Sequence, residues 1–337
     1  MIKKHQTACI FFLFCFFIIT PTKSQQNSST NNIAIENILG ADISFLPELE
    51  ARGKIFYDNG IAKDAIVLLK EKGFNYIRLR IFVNPAADSG YSPKKGFCDL
   101  AHTLAMAKRV KAAGMKLLLD FHYSDTWADP GKQFKPAAWK NLSIKALANA
   151  VKKHTTQVLT ALNNQQTLPD MVQVGNEINH GILWPDGNAK NFDTLAKLIQ
   201  SGIAGVKKVN KKIPIMLHIA LGGQSKESIY FLNQLAERHI KFDIIGQSYY
   251  PQWHGTLDDL KNNLNDLAIK YPQPIIVVEY SEKKSAVNEI AFSIPNKPIK
   301  GTFIWEPLNT WEALFDKQGK ATSFLALYPE FAKNYLH

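Results

Sequence analysis

The sequence predicts an α/β chain folded as a single (β/α)8 TIM barrel over residues 36–337. Three observations point there. Short apolar runs alternate eight times with amphipathic helical stretches. The runs are Ile, Val and Leu inside but polar or aromatic at their C-terminal ends, as a pocket at one mouth of a barrel requires. A doubly wound sheet would be expected to carry a Gly-rich phosphate turn after its first strand, and Gly40-Ala41-Asp42-Ile43-Ser44 is not one.

The strand candidates are 38–45, 75–82, 116–121, 171–177, 214–220, 242–249, 274–280 and 300–305. Helical patterns separate them. Residues 62–72 place Ala65, Ile66 and Leu69 on one face and stop at Gly73, and 101–113 stop at Gly114. Both glycines suit a left-handed C-cap. Helices at 143–162, 192–209, 226–238 and 257–269 supply the middle of the ring, and one around 323–335 closes the chain.

The N-terminus reads as a targeting segment. Lys3 and Lys4 precede an apolar run from Cys9 to Thr20, and Thr22-Lys23-Ser24 offers small residues for a signal peptidase. Cleavage near Ser24 is expected, giving a secreted or periplasmic protein with a polar, disordered lead-in at 25–35. The run is short for a membrane span and nothing like it recurs, so the mature chain is expected to have no transmembrane segment. Cleavage removes Cys9 and Cys15, leaving Cys98 without a partner for an internal disulfide. No Cys/His cluster has zinc spacing and no acidic calcium loop appears, so no metal ligands are assigned. The formal charge of +11 falls to +8 without Lys3, Lys4 and Lys23. The lysines are scattered over helical segments and not grouped with aromatics, which argues against nucleic acid as a partner. A monomer is expected.

The chemistry lies at two strand ends. Met171-Val172-Gln173-Val174-Gly175-Asn176-Glu177 and Pro274-Ile275-Ile276-Val277-Val278-Glu279 are both buried apolar runs ending in a carboxylate. Such a group must find partners in a pocket. In a barrel, the ends of strands four and seven face each other across the mouth. Two carboxylates so placed suit glycoside hydrolysis, with a separation of ~5–5.5 Å for retention and a wider one for inversion. Glu177 is assigned as acid/base because Asn176 beside it can bond a sugar 2-OH, and Glu279 as nucleophile, with Tyr249 holding one of its oxygens. A cation, Arg80 or Arg78, is expected to depress the pKa of Glu279. Each arginine can equally be pairing a structural carboxylate such as Asp42. His122 alone would be a satisfied core histidine, but it opens a loop carrying Tyr123, Ser124, Asp125 and Trp127, a sugar-binding mixture. His218 is another polar strand end. Trp127, Trp184, Trp253 and Trp305, four of the six tryptophans, fall at or after strand ends and can stack on the C–H faces of sugars.

With these residues in place, the chain resembles the endo-β-1,4-galactanases of glycoside hydrolase family 53, in a large clan of retaining barrel hydrolases. The resemblance rests on Gly40-Ala41-Asp42-Ile43-Ser44, Asn75-Tyr76-Ile77-Arg78-Leu79-Arg80, Leu119-Asp120-Phe121-His122-Tyr123-Ser124-Asp125-Thr126-Trp127-Ala128-Asp129-Pro130, Gln173-Val174-Gly175-Asn176-Glu177, Ile245-Gly246-Gln247-Ser248-Tyr249-Tyr250-Pro251 and Trp305-Glu306-Pro307. It implies an acid/base at Glu177, a nucleophile at Glu279, and cleavage of β-1,4-galactan in type I arabinogalactan or pectin side chains. The substrate partner is thus a polysaccharide, and no cofactor is implied. Two features depart from the pattern. The eighth loop runs almost at once from Pro307 to Trp311-Glu312, where some relatives carry a longer, calcium-binding loop, so calcium is not expected here. Tyr280-Ser281 after the nucleophile is also not the commonest choice. The alternatives are a clan hydrolase acting on mannan, xylan or glucan, and a non-catalytic glycan-binding barrel.

Overall fold

The computed structural model describes residues 35–296, 298–310 and 312–336. The expected signal segment and nearly all of the polar lead-in lie outside the described residues. Eight parallel strands close into a barrel. They are β1 (Ile38–Asp42), β2 (Tyr76–Ile81), β3 (Lys116–Phe121), β4 (Met171–Val174), β5 (Ile215–Ile219), β6 (Ile244–Tyr249), β7 (Ile275–Tyr280) and β8 (Ile299–Trp305). Strand β8 returns to β1 in a register from Ile38↔Gly301 to Asp42↔Trp305. The surrounding helices are α1 (Ala65–Glu71), α2 (Leu100–Ala112), α3 (Ile144–Asn164), α4 (Phe192–Val209), α5 (Ser225–Glu237), α6 (Leu257–Lys270), α7 (Lys284–Ser293) and α8 (Tyr328–Tyr335). No helix among the described residues is long and apolar enough to cross a membrane.

Alternation along the strands sorts the side chains. Leu39, Ala41, Ile77 and Leu79 join the layer between barrel and helices. Ile38, Tyr76, Leu118, Met171, Met216 and Phe303 form a separate cluster that fills the barrel from inside. Gly40 carries no side chain because the Phe303 ring takes its place: a Cβ there would sit 2.2 Å from the ring. One step further along the same inward positions stand Asp42, Arg78, Asp120, Gln173 and His218, all buried. An apolar plug below and a polar layer above therefore define the mouth.

Local signals explain most helix ends. Asp64 accepts from the N–H groups of Ile66 and Val67, so α1 starts at Ala65; residues 62 and 63, expected to be helical, belong instead to a strand at Ile61–Lys63 that pairs with Phe56–Asp58 as a hairpin. Asp99 and Ser143 cap α2 and α3, and Thr256 with Asp259 forms a capping box on α6. Such caps each contribute about 1 kcal/mol. Gly73 and Gly114 follow α1 and α2 at φ +94° and +66°, the left-handed caps expected of them. Helix α7 is absent from the sequence expectation. Its N-cap, Lys283, makes no side-chain cap bond, so no start signal precedes it. The expected final helix divides into a 3₁₀ turn at Leu325–Leu327 and α8, with Pro329 in the first turn of α8.

Helix α3 also carries an acid-sensitive group. His154 lies among the rings of Phe121, Tyr123 and Trp139, and its Nε2 is out of contact with water and without a hydrogen-bond partner. Burial lowers its pKa to about 4. The unfolded chain takes up this proton near pH 6.5 and the folded chain only near pH 4. Stability is therefore intact above pH 6.5 and falls as the pH drops toward 4, by about 2–3 kcal/mol from this group. Urea unfolding at pH 7 and pH 4 should show that a His154→Phe variant loses less stability than the parent by about this amount.

Candidate active site

Glu177 reaches the mouth because the chain leaves the sheet early. Strand β4 ends at Val174, three residues before the sequence predicts. Gly175 takes φ +85°, where a Cβ would lie 2.6 Å from Ile178, and Glu177 itself takes φ +48°. A left-handed glutamate costs of order 1 kcal/mol or more, so the surroundings must impose it. Gln133 Nε2 does part of this by donating to the Asn176 carbonyl at 2.8 Å. Glu279 arrives by a different device. Strict alternation would turn it away from the barrel interior, since Val278 points inward. The register slips between Val277 and Tyr280 on the β8 side and between Gly246 and Ser248 on the β6 side. Such irregularities re-aim side chains at strand ends.

Arg78 organises the layer beneath. Its Nη1 donates to Asp42 and to Glu279 Oε2, both at 2.9 Å. Nη2 donates to Asp120 at 2.9 Å and Asn176 Oδ1 at 2.8 Å, and Nε to Gln173 at 3.2 Å. Of the two arginines offered for Glu279, Arg78 makes the contact, and it pairs Asp42 at the same time. Arg80 does not reach Glu279. It bonds Glu306 closely, lies 3.5 Å from Asp42, and stacks 4.5 Å from the ring centres of both Phe45 and Trp127. Its place is under the aromatic wall.

The tyrosine assignment needs correction. Tyr250, not Tyr249, holds the nucleophile candidate: its hydroxyl donates to Glu279 Oε1 at 2.8 Å. The Tyr249 hydroxyl donates to the Gly255 carbonyl at 3.0 Å. The physical reason is parity. Gly246 and Ser248 face inward, so the next inward position is Tyr250, and the alternation itself carried this signal. The same parity marks Asp120 and Gln173, also missing from the sequence assignment. A Tyr250→Phe variant should lose about 10–100-fold in kcat, as expected for removal of one hydrogen bond to a charged group. Tyr249→Phe should stay within a few-fold. Steady-state kinetics on the two variants checks both.

The remaining residues divide. His122 Nδ1 accepts from the Ala128 N–H at 3.2 Å, which places the ring proton on Nε2, 3.0 Å from Asp120. His218 is fully buried behind Asn176, 2.9 Å from its Oδ1 and 2.7 Å from Ser248 Oγ, and burial holds its pKa well below the usual value. Asp125 does not line the cavity. Its oxygens accept from the backbone N–H groups of Asn84 and Ala137 and tie the loop after β3 in place. Trp127 and Trp305 stand 6.2 Å apart on one wall, and Trp253, 60% exposed, stands on another. Trp184 lines a second, adjoining cavity. Together Asp42, Arg78, Glu177, Glu279 and the three tryptophans enclose about 650 Å³.

Electrostatics separate the two carboxyls. Burial, and then the charge of Glu279, pushes Glu177 up to about 8. Burial also raises Glu279, against the pull of Arg78 and the Tyr250 hydroxyl. The expected net depression by a cation is therefore not found, because desolvation outweighs it. The two carboxyls are partnered differently: Glu279 accepts from both the Arg78 guanidinium and the Tyr250 hydroxyl. The mouth thus holds two buried, differently partnered carboxyls over one aromatic-walled cavity. Among the described residues no group of three or more His, Cys, Asp or Glu side chains is placed to hold a metal.

The family model for glycosyl hydrolase family 53 matches residues 38–289. An arabinogalactan endo-β-1,4-galactanase of Cellvibrio japonicus is 41% identical over 252 residues, 72% of this chain and 64% of that protein. The family 53 catalytic domain of Ignisphaera aggregans superposes with a TM-score of 0.81 at 34% identity, covering 88% of this chain and 96% of that one. A fungal β-1,4-galactanase gives 0.77 at 30% identity, covering 86% and 98%. The chain spans about two thirds or less of the length of the first curated relatives it matches.

Proposed function

The chain belongs to glycosyl hydrolase family 53, and on that premise we propose that it is a secreted endo-β-1,4-galactanase working by double displacement with retention. The observation that supports this is the unequal pair: Glu177, protonated by burial and by its charged neighbour, and Glu279, held by Arg78 and Tyr250. A galactosyl unit over Trp305 places its anomeric carbon against a Glu279 oxygen. That oxygen forms the new C–O bond as Glu177 gives its proton to the departing glycosidic oxygen. The Arg78 and Tyr250 donors moderate the charge on Glu279 without neutralising it. Glu177, now ionised, takes a proton from water, and the water oxygen displaces Glu279 from the sugar. Both carboxyls return to their starting states, and the reaction draws on no cofactor. The basic start and apolar run at 1–24 support export.

The test is a polysaccharide panel with product sizing, combined with NMR of the first product formed. Galactan should be cleaved internally in preference to mannan, xylan and glucan, and the new reducing end should appear first as the β anomer. Preference for another polymer overturns the substrate, and an initial α anomer overturns the double displacement.

A further inference from the structure

Two fully buried polar side chains stand behind Glu177: His218 on β5 and Ser248 on β6. His218 Nε2 lies 2.7 Å from Ser248 Oγ, and the Glu177 backbone nitrogen lies 3.4 Å from His218 Nδ1. The Ser248 hydroxyl is in turn hydrogen-bonded to the Glu177 carboxyl. The pair thus closes a loop of contacts from the backbone of Glu177 to its side chain.

The partners fix the protons. Asn176 Nδ2 donates to the Ala128 carbonyl at 2.9 Å, and Asn176 Oδ1 accepts from Arg78 Nη2 at 2.8 Å. That oxygen can only accept, so His218 Nδ1, 2.9 Å from it, carries the ring proton. Gln173 Nε2, 3.1 Å from the same nitrogen, has Asp120 Oδ1 at 2.7 Å as its acceptor. Burial keeps the imidazole neutral, so Nε2 holds a lone pair and Ser248 Oγ donates to it. Ser248 can then only accept from Glu177. This suits a protonated carboxyl and fails for an ionised one, where lone pairs would face lone pairs.

We propose that Ser248 is a positioning residue for the acid/base: its hydroxyl donates to His218 while Glu177 holds the proton, and turns to donate to Glu177 once that proton has gone to the departing oxygen. The inference rests on the role proposed above for Glu177. The turn is a rotation about the Cβ–Oγ bond and moves no heavy atom. What the carboxylate gains, His218 Nε2 loses. The ionised state is therefore supported only in part, and Glu177 can recover its proton for the next cycle. The other titratable or charged groups facing Glu177 are Glu279, Asp129, Arg78, Tyr250 and His218.

The carboxyl can be read without substrate. In protein labelled with ¹³C at glutamate Cδ, the Glu177 signal is the one missing from Glu177→Gln. Ser248→Ala should raise its titration midpoint by about one pH unit, and Ser248→Cys, a weaker donor of similar shape, by less. His218→Phe removes the competing acceptor and should lower it. The alkaline limb of galactan hydrolysis should move with the midpoint. An unmoved or lowered midpoint in Ser248→Ala overturns the inference. So do shifts of one sign in Ser248→Ala and His218→Phe, since loosening of the site would lower both. A raised midpoint with an unmoved limb would instead take the acid role from Glu177. A parent that leaves galactan intact overturns the proposed function, and the titration still decides the contact.

Discussion

Glu279→Gln should lower galactan turnover by about 10⁴-fold or more, the usual scale for loss of a covalent nucleophile. The amide is isosteric, and its oxygen can still accept from Arg78 or Tyr250. Arg78 keeps Asp42 and Asp120 as counter-charges, each at 2.9 Å. Folding should therefore survive, with the thermal midpoint close to the parent's. The pairing of the two measurements matters: lost activity with an unshifted midpoint assigns chemistry, whereas a collapsed midpoint would assign structure. Full-rate hydrolysis by the variant sinks the nucleophile assignment.

Glu177→Ala should separate substrates by leaving group. On galactan, whose departing sugar needs a proton, the loss should be about 10²–10⁴-fold. On aryl galactosides with acidic phenols the first step needs no proton, so bond cleavage should persist and release of the galactosyl enzyme should limit the rate. The pH profile gives an independent readout. An acid works only while protonated, so parent activity should fall as the pH rises through about 8, where burial and the Glu279 charge place this carboxyl. In the variant that alkaline limb should vanish for aryl substrates. Its persistence at the same pH would transfer the proton to another group.

The barrel was legible because its period-2 strands and capped helices are local signals. Phe192–Val209 and Lys116–Phe121 stand where the pattern placed them. Helix α7 was not, since neither a cap nor a strong apolar stripe announces it. At the mouth, Glu177 and Glu279 stood out as carboxylates ending apolar runs. What the pattern could not supply was the backbone that aims them: the left-handed turn at Gly175 and Glu177, and the register slips around β7. Both depend on neighbouring strands. The exchange of Tyr249 for Tyr250 is of another kind. Counting alternate residues from Gly246 through Ser248 reaches the correct ring without coordinates. Arg80 shows the remaining gap, because its distance from Glu279 and its bond to Glu306 arise from strands far apart in sequence.

One guanidinium touches acceptors on β1, β3, β4 and β7 and on the turn after β4. A lysine has three donors on a single nitrogen and lacks the planar spread to span those positions. Heat tolerance and turnover therefore cannot be engineered independently at this position. Any change that loosens the ring of strands also resets the ionisation of Glu279, and thermal inactivation should follow the first opening of the mouth and precede global unfolding.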